Sequence, residues 1–411
     1  MNSRRWVALT ISLLMACGQS ADTGNAQPAP DQGDASAPSA DGMAPATDGI
    51  ASDTLEAEGD SLPGEVTTDP VDAGPAPTWS DLRDLIDTAE PTDLTVLIGT
   101  ADGVAFTHSK GASSADQTYA IASASKMLSA IVLLALVEDG VLAIDDTPDV
   151  HLDWWPSAAD DPMGTITLEQ LLSFTSGFAG DSGLAPGEEV LACIEEANTT
   201  LDACAQDIAA LGLSYTPGST FHYGPLHLHV AGAMATAATG LRFNRLFRDT
   251  IASPLGLPIT AAFAHPSLDN PRVSGGATLS ANDYGAILTA LAAGALLSPE
   301  SVALLTGDHT PEPVVLESVP TVASDGRAWH YALGCWRECD GEVYTPSCDE
   351  PGVVSSAGAF GFYPWWDMAT GVWGVLATQR PLLQGGPTVT VPLGQAIHAM
   401  AVQLVDGTSA P

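Results

Sequence analysis

The segment Tyr119–Gly140, YAIASASKMLSAIVLLALVEDG, predicts a short strand, a tight turn and then a helix. The helix should begin near Ser123 and end at Gly140, because glycine is favoured just past a helix C-terminus. From Met127 to Val137 the residues are almost all apolar, so we expect this helix to be buried inside a globular protein. It is too short to cross a bilayer, which takes about 20 apolar residues.

Ser123 and Lys126 stand three residues apart at the start of this helix, and such residues share one face. A serine hydroxyl becomes a good nucleophile only when a base removes its proton. Lysine can be that base if burial and the positive end of the helix dipole lower its pKa. The N–H groups at the helix start could also stabilise a developing oxyanion. The alternative is a solvated lysine in the first turn that has no catalytic role.

The composition narrows the class of protein. The chain has 411 residues, with 50 acidic and 12 basic side chains, and a formal net charge of −38. This charge argues against a nucleic-acid partner and against electrostatic attraction to anionic lipid. The length suits one large domain or two ordinary ones. Frequent glycine and proline, with few charges, indicate an exported protein with many loops.

The N-terminus, residues 1–17, resembles a lipoprotein signal peptide with a lipobox. Arg4 and Arg5 precede an apolar core, Trp6–Ala16, and Leu14–Cys17 matches a bacterial lipobox. Cleavage before Cys17 would leave this cysteine lipid-modified and attached to a membrane. The next residues are Gly and Gln rather than Asp, which favours an outer membrane. The alternative is an ordinary secretory signal that contains a cysteine.

Residues 18–78 have the composition of a disordered, acidic tether. They are rich in Ala, Asp, Pro, Gly, Ser and Thr, and they contain twelve acidic residues and no Lys or Arg. Such a segment cannot bury enough apolar surface to fold, and self-repulsion should extend it. We therefore expect the ordered domain to occupy residues 79–411, held away from a lipid surface.

The ordered domain should be α/β, more closely α+β, with strands at both ends and helices between them. Residues 79–145 and 265–411 should form an antiparallel sheet with flanking helices. Residues 146–264 should form a mostly helical part. The active site should lie between the sheet part and the helical part. Predicted strands cover 94–99, 103–108, 331–336, 353–362 and 372–379, and predicted helices cover 80–89, 123–139, 188–211, 226–239, 280–293 and 393–405.

Five cysteines follow the lipobox: Cys193, Cys204, Cys335, Cys339 and Cys348. Export permits disulfides, and the first two are close enough in sequence to brace a helical segment. One bridge among the other three would leave one free thiol, and the sequence does not say which. A zinc site is the competing interpretation, but the paired C-x-x-C spacing of structural zinc sites is absent.

The order of several motifs resembles that of the serine β-lactamase and penicillin-binding-protein superfamily. The motifs are Ser123-x-x-Lys126, LLSFTSGF at 171–178 with Phe174 where histidine is usual, Tyr215-x-Pro-Gly-x-x-Phe-x-Tyr223, PLGL at 254–257, and Gly275-Gly276 before Ser280. They are most similar to the class C branch, which also holds D-aminopeptidases and esterases. The resemblance covers about residues 80–405 and implies a transpeptidase-like fold. It also implies a small-molecule or peptide acyl substrate and no cofactor or metal.

The resemblance implies that Ser123 is the nucleophile, Lys126 its base and Tyr223 a third catalytic group. A phenol with an ordinary pKa near 10 needs a neighbouring cation to act as a base, and Lys126 would supply it by sharing a proton. The alternative for Tyr223 is a half-buried tyrosine before a turn. The oxyanion hole should use the N–H groups of Ser123 and Ala359, and Gly358 should let that strand approach the substrate closely.

Two positions depart from the pattern of the superfamily. Pro225 stands where asparagine is expected, and it offers no side-chain donor to a substrate. The third motif is best matched by Ser356–Gly358, where Ser356 replaces the cation that helps relatives hold a substrate carboxylate. Both residues should still border the substrate. Because Pro225 and Ser356 stand at these two positions, we expect another acyl hydrolase rather than an efficient β-lactamase.

The sequence thus predicts a lipid-anchored, exported serine hydrolase that acts on an ester or amide through an acyl-enzyme. One alternative is a cell-wall D-Ala-type carboxypeptidase, a D-aminopeptidase or a β-lactamase. The other is a non-catalytic lipoprotein that binds peptidoglycan or a protein. His227 and His229 could suggest a metal pair, but without an acidic partner at matching spacing we interpret them as packing or surface residues. The natural substrate and the oligomeric state are left open.

Overall fold

The structure is a computed structural model, and it describes residues 76–158, 160–180, 191–317, 327–339, 341–349, 352–381, 384 and 386–408. The predicted signal peptide, Cys17 and nearly all of the predicted tether lie outside these ranges. The strands are β1 Leu94–Thr100, β2 Gly103–Lys110, β3 Thr118–Ala120, β4 Thr220–His222, β5 Ala262–Phe263, β6 Ala277–Ser280, β7 Val315–Glu317, β8 His330–Tyr331, β9 Trp336–Arg337, β10 Val353–Ser355, β11 Tyr363–Asp367 and β12 Trp373–Ala377. The helices are α1 Trp79–Thr88, α2 Ser125–Glu138, α3 Leu168–Leu172, α4 Ala192–Glu195, α5 Leu201–Ala210, α6 Leu226–Thr239, α7 Phe243–Phe247, α8 Ala281–Ala292, α9 Pro299–Thr306, α10 Pro346–Asp349 and α11 Gly386–Thr408.

The main sheet joins the two ends of the domain. Its seven strands are antiparallel in the order β2-β1-β12-β11-β10-β9-β8. The central pairing brings Thr95 of β1 opposite Ala377 of β12. An antiparallel sheet with flanking helices confirms the predicted fold class.

Helices cover both faces of this sheet. A Cβ atom on Gly285 of α8 would touch Trp373, and one on Gly394 of α11 would touch Leu376. Residues three apart on a strand point to opposite faces, so α8 and α11 lie on opposite sides. By length and composition alone α11 could cross a membrane, but here it packs on the sheet with Ile397 buried.

The part of the chain from 146 to 264 contains α3 to α7 and the short strands β4 and β5 among its described residues. Two smaller sheets accompany the main one: β3-β6-β5 is antiparallel, and β4 pairs in parallel with β7. The boundaries at residues 145 and 265 stay predictions, because strand pairing crosses them.

The helix of the opening motif begins two residues later than predicted. Ala122–Ala124 form a 3-10 turn, and α2 starts at Ser125. Ala122 has a positive φ of 46°, so the chain bends sharply before the helix. Almost all of α2 is buried, as its apolar run predicted.

Several other predicted boundaries were wrong. The first helix was predicted over 80–89, but it covers Trp79–Thr88, because Thr78 caps it through a capping box with Asp81. The strand predicted over 353–362 ends at Ser355, because residues 358–362 form a tight turn in which the Gly358 N–H donates to the Phe362 carbonyl.

The remaining differences have similar causes. The strand predicted over 331–336 is the hairpin of β8 and β9, which turns at Gly334 with a φ of 72°. The helix predicted over 188–211 is two helices, α4 and α5, and its first residues lie outside the described ranges. The last helix begins before its internal Pro392 rather than after it.

The cysteines divide into two close pairs and one single residue. The sulfur atoms of Cys193 and Cys204 are 2.01 Å apart, and those of Cys339 and Cys348 are 1.97 Å apart. Cys335 is the free thiol, and it is buried. The two pairs lie at disulfide distance and Cys335 belongs to neither, and the two disulfides stay a prediction.

Candidate active site

Ser123 lies in the turn between β3 and α2, and neighbouring segments hold this turn from both sides. The Ile121 N–H donates to the Ala277 carbonyl over 3.1 Å, which joins the turn to β6. The Ser356 hydroxyl donates to the Ser123 carbonyl over 2.9 Å. The backbone of Ser123 is therefore fixed, and its hydroxyl faces a cavity.

Lys126 lies one helical turn further, with its amine directed at Ser123. Its Nζ is 3.0 Å from Ser123 Oγ and 2.8 Å from the Ser274 carbonyl oxygen. Only 5% of Lys126 is exposed. Burial, aided by the positive charge of Arg272, holds the pKa of this amine well below its ordinary value. A neutral amine at this distance can take the proton of the serine hydroxyl.

Tyr223 completes a group of three side chains. It lines the same cavity as Ser123, and the Lys126 nitrogen lies 4.7 Å from the centre of its ring. Burial raises the pKa of Tyr223 to about 12, against the smaller opposing effects of the Ser123 hydrogen bond and of Arg272. The phenol is therefore neutral near pH 7. Whether Tyr223 takes part in catalysis, as a base or as an acid, stays a prediction.

These three side chains border a cavity of about 500 Å³. Its lining residues are Ala120, Ala122, Ser123, Lys126, Tyr223, Gly224, Pro225, His265, Arg272, Ser274, Gly275, Gly276, Ala277, Thr278, Ala359 and Phe360. The volume suits a small organic substrate. Within the described residues no cluster of three or more His, Cys, Asp or Glu side chains is placed to hold a metal ion.

The predicted substrate-binding residues divide into two groups. Pro225 and Ala359 line the cavity, but Ser356 and Gly358 lie behind its wall. A Cβ atom on Gly358 would lie 2.2 Å from the Ile121 carbonyl oxygen. The close approach that this glycine permits is therefore to the backbone before Ser123, and not to the space of the cavity.

Comparison with known proteins agrees with this geometry. The sequence profile of the Beta-lactamase family matches residues 92–389. The chain belongs to the Beta-lactamase family. It is 29% identical to "Penicillin-binding protein 4" of Amycolatopsis lactamdurans over 159 residues, which cover 38% of this chain and 39% of that protein. It is 30% identical to "Esterase EstB" of Burkholderia gladioli over 148 residues, which cover 34% of this chain and 38% of that protein. The chain thus aligns with about two fifths of the length of these curated relatives.

A solved structure extends the match over the whole domain. A candidate β-lactamase from Bacteroides dorei superimposes with a TM-score of 0.65 at 28% identity, and the match covers 79% of this chain and 99% of that one. The resemblance to the serine β-lactamases and penicillin-binding proteins is thereby confirmed.

This member of the Beta-lactamase family has an aromatic cluster under Tyr223. Phe174 stacks on His227 with 4.8 Å between ring centres, and its centre is 5.7 Å from that of Tyr223. Phe174 has a φ of 60°, which is rare for a residue other than glycine. A buried apolar ring thus stands where histidine is usual in the family, and it holds Tyr223 from behind.

His227 and His229 are packing residues, as the sequence analysis favoured. Both are fully buried, and burial lowers their pKa values to about 3 and about 4. His227 bonds with the Ser176 hydroxyl and the His222 carbonyl, and His229 Nδ1 lies 3.0 Å from the Pro225 carbonyl oxygen. Both rings are therefore neutral and support α6.

Sequence reasoning missed the wall formed by Arg272, Ser274 and His265. Arg272 is paired with the carboxylate of Glu195, which also lies 3.2 Å from His265 Nε2. The only available signal was a lone arginine shortly before Gly275-Gly276. Nothing in the spacing along the chain indicated that Arg272 would approach a lysine 146 positions earlier, because the pairing of β3 with β6 brings the two segments together.

Proposed function

We propose that this chain is a serine hydrolase that cleaves an ester or amide bond through an acyl-enzyme on Ser123. The observation that carries the proposal is the buried Lys126 amine 3.0 Å from the Ser123 hydroxyl, at the edge of a cavity large enough for a small substrate. Family membership and the names of relatives, an esterase and a penicillin-binding protein, agree with it. The chain supplies every group that this chemistry needs.

In the first step, Lys126 accepts the proton of the Ser123 hydroxyl while the oxygen attacks the substrate carbonyl. The carbonyl oxygen becomes an oxyanion, for which we assign the N–H groups of Ser123 and Ala359. Supporting this role, Ala359 lines the cavity and its N–H donates to no acceptor among the residues the structure describes. No charged side chain is needed at this position.

In the second step, the bond to the leaving group breaks and that group takes a proton. We assign this proton to Tyr223, because a phenol with a pKa of about 12 is neutral and can donate. The Lys126 ammonium then returns a proton to the phenolate. Water attacks the acyl-enzyme with Lys126 again as base, which releases the acid and restores the Ser123 hydroxyl.

We infer that esters are better substrates than β-lactams. Pro225 borders the cavity without a side-chain amide, and the Ser356 hydroxyl is already used by the Ser123 carbonyl. The contacts that hold a β-lactam or a peptide in class C relatives are therefore missing on two sides. An ester needs fewer such contacts, because its leaving group departs more easily than an amine.

The second candidate is a cell-wall peptidase or a β-lactamase. Its support is the relative named as a penicillin-binding protein, together with the cation of Arg272 in the cavity. A non-catalytic binding protein is the third candidate, motivated by Pro225 and Ser356. The buried Ser123–Lys126 pair argues against it, since burying a lysine amine is costly without a function.

The substrate class is tested by comparing wild type with Ser123→Ala on three substrates. These are a short-chain aryl ester, a D-alanyl peptide and a chromogenic cephalosporin. We expect the ester to have the highest kcat/KM, and every activity to depend on Ser123. A higher kcat/KM for the peptide or the cephalosporin would favour the second candidate, and no activity on any would favour the third.

Export and anchoring through Cys17 are part of the same proposal, and their support is the sequence alone. A Cys17→Ser variant should move from the membrane fraction to the soluble fraction after expression in a bacterium with lipoprotein processing. Equal fractionation of wild type and variant would contradict the anchor.

A further inference from the structure

Two buried polar atoms on one wall of the cavity have no hydrogen-bond partner within the described part of the chain. They are Nε of Arg272 and Oγ of Ser274. Ser274 is 1% exposed, so bulk water does not reach it. A buried polar atom without a partner costs free energy, and a ligand with acceptor oxygens would remove that cost.

The guanidinium of Arg272 is held in place by neighbours on its other edge. Its Nη1 donates to the carboxylate of Glu195 at the end of α4. The Asn270 amide ties α4 to the same segment, because it donates to the Cys193 and Glu196 carbonyls over 2.7 and 2.9 Å. A guanidinium has five N–H donors in a fixed fork, so the bond to Glu195 leaves the Nε edge available.

Gly275 lies between that edge and the cavity. It lines the cavity, and a Cβ atom on it would lie 3.4 Å from Arg272 Nε. Any longer side chain would extend over the guanidinium. Because glycine has no side chain, position 275 adds no further cover to the buried Nε on the side of the cavity.

The charge of the cavity wall is opposite to that of the protein. The chain carries 50 acidic residues and a net charge of −38. None of the described residues that line the cavity is acidic, whereas the cationic Arg272 lines it. Glu195 balances part of the Arg272 charge, but it lies outside the lining and is 41% exposed.

We propose that Arg272 and Ser274 bind a carboxylate of the substrate, so that this site takes acyl substrates that carry an anionic group. The inference rests on the proposed serine hydrolase function and names its substrate class. The carboxylate accepts hydrogen bonds from Arg272 Nε and Ser274 Oγ, on a different wall from Ser356. The arginine selects the substrate, and Ser123 performs the chemistry.

The test uses two matched pairs of esters and the full chain. In one pair the acyl group carries the charge: mono-para-nitrophenyl succinate is compared with para-nitrophenyl butyrate. In the other the leaving group carries it: para-carboxyphenyl butyrate is compared with phenyl butyrate. The measured quantity is the ratio of kcat/KM for the charged ester to that for the neutral ester. Each enzyme is measured on the plateau of its pH profile, because Arg272 also affects the pKa of Lys126.

Arg272→Gln should lower this ratio about 10- to 100-fold for at least one pair, as expected for the loss of a charge-assisted hydrogen bond. Ser274→Ala should lower this ratio about 3- to 10-fold for the same pair.

Arg245→Gln is the matched control. Arg245 also pairs with a carboxylate, that of Asp249, but it is 65% exposed and does not line the cavity. Arg245→Gln changes the net charge by the same amount as Arg272→Gln and should leave both ratios unchanged.

Unchanged ratios for both pairs in Arg272→Gln would overturn the carboxylate subsite. If that variant does not fold, Ser274→Ala decides by the same comparison. Hydrolysis of the neutral esters that depends on Ser123, with ratios insensitive to Arg272 and Ser274, would overturn the subsite and leave the serine hydrolase standing. Absence of any hydrolysis that depends on Ser123 would overturn both.

Discussion

The Nζ of Lys126 lies 3.0 Å from the Oγ of Ser123, and the lysine is 5% exposed. The 3-10 turn before α2 places the two side chains one above the other, while the Ser274 carbonyl holds the amine from the other side. Burial and the nearby Arg272 both disfavour the charged amine. The fold therefore disfavours the charged form of the amine that lies next to the serine hydroxyl, as the proposed role of Lys126 as a base requires.

Lys126→Met should slow catalysis strongly and change how stability depends on pH. We expect kcat/KM to fall about 10²- to 10⁴-fold, because the general base is lost. The folded pKa of Lys126 is below its unfolded value, so unfolding takes up a proton between those two values. The free energy of unfolding of wild type, relative to the variant, should rise with pH through that window by up to about 1.4 kcal/mol per pH unit.

Urea unfolding of both proteins at a series of pH values measures this difference. Titrations of other groups cancel when the variant is subtracted. A difference that stays constant from neutral pH to about pH 10 would mean that Lys126 is charged in the folded protein. The assignment of Lys126 as base would then be wrong.

Tyr223→Phe should lower kcat/KM about 10²- to 10³-fold, because the leaving group loses its proton donor. Stability should change little, since the ring and its packing remain. Steady-state kinetics on an aryl ester and a thermal melt measure the two effects. Tyr331→Phe is the control: Tyr331 is equally buried, 6.1 Å from Tyr223 between ring centres, and does not line the cavity. Equal losses in both variants would contradict a specific role for Tyr223.

Phe174 allows a test of the backbone conformation next to Tyr223. Phe174→Ala should destabilise the protein by about 3–5 kcal/mol, because a fully buried ring is lost. Phe174→Gly removes one carbon more, yet it should be about 1 kcal/mol more stable than the alanine variant, because glycine tolerates a φ of 60°. Urea unfolding ranks the two, and an alanine variant more stable than the glycine variant would exclude the left-handed conformation.

The cysteines predict a thiol count. In a Cys17→Ser chain, no thiol should react with a maleimide in the native state, since Cys335 is buried and burial raises its pKa to about 12. After denaturation without reductant, one thiol should react. Mass spectrometry of the labelled chain gives both counts. Three labels after denaturation would mean that one of the two cysteine pairs is reduced.

The sequence predicted those features that depend on local pattern. The apolar run of α2, the Ser-x-x-Lys spacing and the turn at Tyr215–Tyr223 predicted the fold class and three residues that line one cavity, Ser123, Lys126 and Tyr223. These features can be predicted from the sequence because a helix places residues three apart on one face. The turn at 358–362 and strand β11 were not predicted, because a glycine-containing turn between apolar strands has the same composition as a continuous strand.

The cavity wall formed by Arg272, Ser274 and His265 could not be predicted from the sequence, because it depends on contacts between distant segments. Arg272 reaches the cavity only because β6 pairs with β3, and Glu195 reaches Arg272 only because α4 is tied to Asn270. The charge state of Tyr223 also could not be predicted from the sequence. It depends on whether the neighbouring amine is buried, and burial is a property of the whole fold.

Intact-mass analysis of the protein treated with a fluorophosphonate tests the central claim most directly. Wild type should gain the mass of one phosphonyl group, and peptide mapping should locate it on Ser123. Ser123→Ala, which should also lose at least about 10³-fold in kcat/KM, should gain no mass. An unlabelled wild type, or equal labelling of wild type and Ser123→Ala, would show that the Lys126 amine does not activate this hydroxyl.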